Sequence, residues 1–295
     1  GSCQLLTKTA SLLPKGKLTE KEQISLNLFQ VVIDFFCHAE ILAQITSDNG
    51  GSLISPCDPD KLFEVSPFSE NTVMEGTFDL VRGYSISLVP VLNKIYNYLK
   101  ILKTSKNVNL SGSNMIKFYL KNENPEIFQE MKEFGISTSN NAISLFASNM
   151  KEVSALNQVS DLRLKFTMVN CTKLYHLTIE IYLKVFFIRV PINTTQGVAE
   201  IEQHLERMLE TIYAMPYNTS AAIACHWGIY MGAVIASIIH SDSLYEHFVD
   251  SLTKLVDNGL YVAGNSRDKL NHIASMIKSK NYDMIVNDSQ DFIVF

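Results

Sequence analysis

Apolar residues recur at helical spacing along most of the chain. Thr19, with Glu22 three positions on, makes a capping box. Ile24, Leu28, Val31, Val32, Phe35 and Leu42 follow on one face, which predicts an amphipathic helix to about Thr46. A second run, Phe78, Val81, Ile86, Val89, Leu92, Ile95, Tyr96, Leu99 and Leu102, predicts a helix from about Thr77 to Lys103, bent where Pro90 removes an amide donor. Shorter helices are expected near 125–134 and 141–156. Ser160 is a candidate cap for the longest helix, which should run to about Arg189 and stop before Pro191. It interleaves Leu162, Phe166, Val169, Leu174, Leu177, Ile181, Val185 and Ile188, a face broad enough to be buried on both sides.

Beyond this spine the pattern predicts helices over 198–213, after Asn218-Thr219-Ser220, over 243–257 with a stop at Gly259, and over 266–280. The apolar end Phe292–Phe295 is expected to dock or to form a minor strand. Loops are expected at 47–69, which holds Asn49-Gly50-Gly51, Pro56, Pro59 and Pro67, and at 104–113. Gly1-Ser2 reads as a cleavage scar, so residues 1–18 are taken as tag remnant and flexible lead, and 19–295 as one helical domain. The expected fold is therefore all-α, a layered helical domain with one long central helix and minimal or no β structure.

Composition narrows the function classes. Of 295 residues, 46% are hydrophobic and 19% charged, with net charge −5, so the chain can bury a core and is not built to bind a polyanion. Direct nucleic-acid contact is not expected. The stretch Ala221–Ile239 carries no formal charge and has Gly228 and Gly232 at GxxxG spacing. Its alanine content, His226, Ser237 and the lack of basic flanks read as a central helix among others rather than a membrane span.

The five cysteines, Cys3, Cys37, Cys57, Cys171 and Cys225, lack metal-site spacing and read as small buried hydrophobes in a reducing compartment. N-x-S/T triplets begin at Asn109, Asn170, Asn193 and Asn218, but Asn170 falls within a helical stretch with no room for a glycan. There is no phosphate-binding Gly-rich loop, G-x-S-x-G elbow or H-E-x-x-H, and the nearest acidic pair, Asp58 with Asp60, lies in a proline-rich loop. No enzyme is expected, and neither a metal nor a cofactor in this domain.

A few polar groups stand inside apolar patterns. His176, Glu180 and Lys184 recur at i, i+4 and i+8, either as a polar stripe lining a ligand cavity or as a solvated face with an ion pair. His38, Tyr84 and Trp227 are the other candidate ligand contacts, each also readable as a core residue. Cys225 and His226 are adjacent, but neighbours on a helix point about 100° apart and do not converge on one ion.

Phe35-Phe-Cys-His-Ala-Glu-Ile-Leu42, Arg82-Gly-Tyr before a leucine-rich helix, Tyr182-Leu-Lys-Val-Phe-Phe and Cys225-His-Trp-Gly-Ile-Tyr-Met-Gly232 occur in that order. Over roughly residues 29–282 this resembles the fungal-specific regulatory domain of zinc binuclear-cluster transcription factors, in the branch with regulators of lysine, arginine and GABA metabolism and of sterol uptake. The Trp227 segment looks like the family's W-P-L-F-I-A-G helix, with Gly228 in place of its proline; the usual closing tryptophan is missing near Tyr282.

The resemblance implies a nuclear protein that can shuttle with the cytoplasm and can form a homodimer. Its effector would be an amino-acid-related metabolite, a sterol or a co-regulator protein. Zinc would belong only to a DNA-binding module that this sequence does not contain. The alternative is an interaction scaffold without a small molecule; a pocket above about 300 Å³ with convergent polar groups separates the two.

Overall fold

The computed structural model describes residues 19–22, 24–25, 28, 42, 45–46, 78–79, 84–85, 88–105, 112–123, 126–154, 162–216 and 225–286. The capping box is in place: Glu22 N donates to Thr19 Oγ1 at 3.4 Å and Thr19 N to Glu22 Oε2 at 2.7 Å. The expected loop 47–69, most of the loop 104–113, the Ser160 cap, His38 and the Phe292–Phe295 end lie outside the described residues.

A two-residue antiparallel ribbon, β1 (Phe78–Asp79) with β2 (Tyr84–Ser85), precedes α1 (Val89–Ser105). The helix expected from Thr77 thus begins only at Val89. A short apolar run such as 78–86 cannot be assigned by period alone. Pro90 consequently stands in the first turn of α1, where its missing N–H has no intrahelical acceptor to lose, so the expected bend has no cause. Leu92, Ile95, Tyr96, Leu99 and Leu102 of α1 are buried as the spacing requires.

After α2 (Gly112–Leu120), the two short helices expected at 125–134 and 141–156 form one continuous α3, Phe128–Ser154. Packing explains this correction. Gly135, a local weak point, is seated where a Cβ would lie 3.0 Å from Ile188 Cγ1 and 3.1 Å from Phe187 Cβ. The polar run 137–141 is carried through by the contacts of α3 with the central helix rather than by its own propensity.

That central helix is α4 (Leu162–Tyr182), continued by a π-helical segment, Leu183–Ile188, and ended at Arg189 in the left-handed region with φ 60°. It packs against α3, α5 and α6, as expected of a spine. Its buried threonines and Asn170 are satisfied by the helix itself: Thr167, Thr172 and Thr178 donate to the carbonyls four residues back, and Asn170 Nδ2 donates to Phe166 O at 3.0 Å. A glycan on Asn170 is therefore excluded, as the sequence implied.

α5 (Thr195–Tyr213) is capped by Thr194, whose Oγ1 accepts from Gly197 N at 3.1 Å. Its buried Ile201, Leu205, Met208, Leu209 and Ile212 follow the i, i+4, i+7, i+8, i+11 stripe. At about 1.5–3 kcal/mol for each such side chain, this face outweighs the cap, worth about 1 kcal/mol. α6 (His226–Ile238) is buried at all 13 positions, with α4, α5, α7 (Asp242–Asp257) and α8 (Val262–Lys278) around it. A 3₁₀ turn, Tyr282–Val286, docks on α2 and α8. Gly259, with φ +99°, makes the expected stop after α7.

Candidate regulatory site

The polar stripe of the central helix divides between two neighbours. His176 turns toward α3, where Asn149 Nδ2 lies 2.7 Å from its Nε2 and the Phe146 ring packs edge-on at 5.1 Å between centroids. Burial, opposed by the Glu180 charge, lowers its pKa from 6.5 to about 4, so the ring is neutral and accepts from Asn149. Glu180 and Lys184 turn toward α5: Lys184 Nζ is 3.2 Å from Glu180 Oε1 and 2.9 Å from Glu200 Oε1. Burial works against the lysine charge, but hydrogen bonds and attraction from the two carboxylates outweigh it and raise its pKa.

His204 completes this group. Its Nε2 bonds the Leu177 carbonyl at 2.8 Å and its Nδ1 faces Glu180 Oε1 at 3.9 Å. Burial, against the pull of Glu180, lowers its pKa and favours the neutral ring. Lys184 and Glu180 keep side-chain exposures of 21% and 27%, and they pair with each other and, through Lys184, with Glu200 of α5.

The π-helical segment begins beyond His176 and Glu180. Widening the helix shifts its phase, so that Val185, Phe186 and Phe187, consecutive in sequence, are all buried. Phe187 meets Tyr98 at 5.8 Å and Phe134 at 6.1 Å, while Phe186 meets Tyr182 at 4.9 Å and Tyr119 at 5.9 Å. Arg189 closes the segment, donating to Glu123 O and lying 4.4 Å over the Phe128 ring.

A small cavity opens beside the stripe, lined by Leu88 and Val91 of α1, Ser139 and Leu145 of α3, and His176 and Glu180 of α4. It holds about 20 Å³, room for one water molecule. Ser139 Oγ is buried there without a hydrogen-bond partner. Among the described candidates, Lys184 and Trp227 do not line it. Tyr84 stands in β2 opposite Asp79, and Trp227 is fully buried in α6, its ring 5.6 Å from that of Tyr175 and its Nε1 unpartnered. His226 bonds Ser266 of α8 at 2.8 Å.

One cluster escaped the sequence reading. Cys171 Sγ lies 3.3 Å from Cys225 Sγ, and Met215 Sδ lies 3.3 Å from Cys225 and 3.9 Å from Cys171. The three sulfurs come from α4, the end of α5 and the start of α6, and only tertiary packing brings them together. Among the described residues no group of three His, Cys, Asp or Glu side chains could hold a metal ion, and no helix is long and apolar enough to cross a membrane.

The fold and this site define an all-helical domain with polar contacts used for bridging helices. The family model of the fungal-specific transcription factor domain matches residues 3–271. The chain belongs to that family, which carries a role in transcription regulation and with it a nuclear one. No curated protein and no solved structure matches the chain.

Proposed function

We propose that this chain is the regulatory domain of a zinc-cluster transcription factor, and that its helical body acts as a packed scaffold through which a co-regulator protein controls transcription. The observation that carries this reading is the size of the cavity beside His176: about 20 Å³, against the 300 Å³ or more that a metabolite needs. The charges that would meet a zwitterion, Glu180 and Lys184, are already paired with each other, and Lys184 also with Glu200. The family is one of regulators, which favours control over catalysis. Homodimerisation and shuttling with the cytoplasm belong to the same reading.

A second reading, metabolite or sterol sensing, is favoured by Ser139. A buried hydroxyl without a partner costs about 1–3 kcal/mol, and a ligand oxygen reaching it past Leu88 would recover that.

A thermal-shift series with amino acids, their pathway intermediates and sterols tests the choice. A ligand at 100 times its Kd adds about 2.7 kcal/mol to stability. The scaffold reading expects no saturable shift; a saturable shift removed by Ser139→Ala overturns it in favour of sensing.

A further inference from the structure

We infer that Cys171, Cys225 and Met215 form a binding site for a soft monovalent metal ion of the Cu(I) type, at the junction of α4, α5 and α6. Two thiols and a thioether are the donor set that selects Cu(I) over harder cations. The sulfur separations of 3.3, 3.3 and 3.9 Å make a nearly equilateral triangle whose centre is about 2 Å from each atom. A trigonal ion with bonds of about 2.3 Å needs sulfurs about 4 Å apart. One edge already has that length, and the other two must open by about 0.7 Å. Closing the thiols to a disulfide would need a larger movement, from 3.3 Å to about 2.05 Å, and would leave Met215 without a role.

The surroundings suit such an ion. Cys171 is fully buried and Cys225 and Met215 are 2% and 5% exposed, which keeps out water and competing oxygen ligands. Cys225 is the N-cap of α6, a helix of 13 residues, so the thiolate formed on binding meets the positive end of that helix. Without metal, the hydrogen bond with Cys171 and then burial hold the Cys225 thiol well above its usual pKa. Binding therefore releases protons: the two S–H bonds break, two thiolate–metal bonds form, the Met215 sulfur donates a lone pair, and the copper stays Cu(I) throughout. The ion would tie α4 to the start of α6.

The test is a Cu(I) titration of the full reduced chain against bicinchoninate as competitor, with X-ray absorption at the copper edge. The wild type is expected to retain one more equivalent of copper than Cys171→Ser, Cys225→Ser or the apolar Cys225→Ala, so that Cys3, Cys37 and Cys57 cancel as background. Met215→Leu should keep the stoichiometry, lose one sulfur from the coordination shell and bind at least tenfold more weakly. Circular dichroism on each variant confirms that the helices remain; if only Met215→Leu folds, its lost sulfur decides. Equal copper retention by wild type and folded cysteine variants, no retention by the wild type, or a shell of nitrogen and oxygen overturns the site.

Discussion

Gly232 of α6 lies directly under the ring of Phe248 in α7: a Cβ at this glycine would fall 2.3 Å from Phe248 Cε1. Both residues are buried, and Phe248 cannot withdraw without leaving the core. Gly232→Ala is expected to cost about 1–3 kcal/mol as overpacking. Gly264 of α8 is the control, since its nearest neighbour would be 3.8 Å from an added Cβ. Gly264→Ala should leave stability unchanged or raise it by about 0.5–1 kcal/mol. Thermal melts of the two variants check the pair; equal effects would contradict this packing.

Stability should fall in acid partly through His176. Its pKa is about 4 in the folded chain and about 6.5 when unfolded, so the unfolded state takes the proton first. The contribution is whole above pH 6.5 and is lost as pH falls from 6.5 toward 4, by up to about 3 kcal/mol. In melts between these limits, His176→Leu should lose less stability than the wild type. Parallel curves would contradict a buried neutral ring.

Lys184 bridges the central helix to α5, but Glu200 is 46% exposed, so solvent screens the pair. Lys184→Ala should cost about 1 kcal/mol, and a double-mutant cycle with Glu200→Gln should give a coupling of about 0.5–1 kcal/mol that shrinks with added salt. A coupling near zero at low salt would remove the bridge from the account.

Trp227 is the single tryptophan of the chain and is fully buried. Native fluorescence should be blue-shifted relative to the unfolded chain and resistant to iodide. Emission like that of the unfolded chain would contradict the placement of α6.

The helices on either side of Pro191 were legible because their apolar stripes run long and their stops are chemical. Gly259 and the uncharged α6 each announce themselves. The start of α1 was not, because the apolar run 78–86 fits a strand as well as a helix, and Pro90 is a breaker inside a helix but a good residue in its first turn. The unity of α3 was hidden because Gly135 and the polar run after it are held by Phe187 and Ile188, distant in sequence.

Of the candidate site, the i, i+4 pair Glu180–Lys184 could be read from spacing, whereas Glu200, His204 and Asn149 arrive from other helices. The sulfur cluster joins residues 44 and 54 positions apart, beyond the reach of any local pattern.

The family to which the chain belongs regulates transcription. The direct measurement is a reporter assay in which the chain is fused to an unrelated DNA-binding module and compared with that module alone. A several-fold change in reporter output, lost when Gly232→Leu disrupts the α6–α7 contact, is the predicted result. Output equal to that of the module alone, from a folded fusion present in the nucleus, would contradict it.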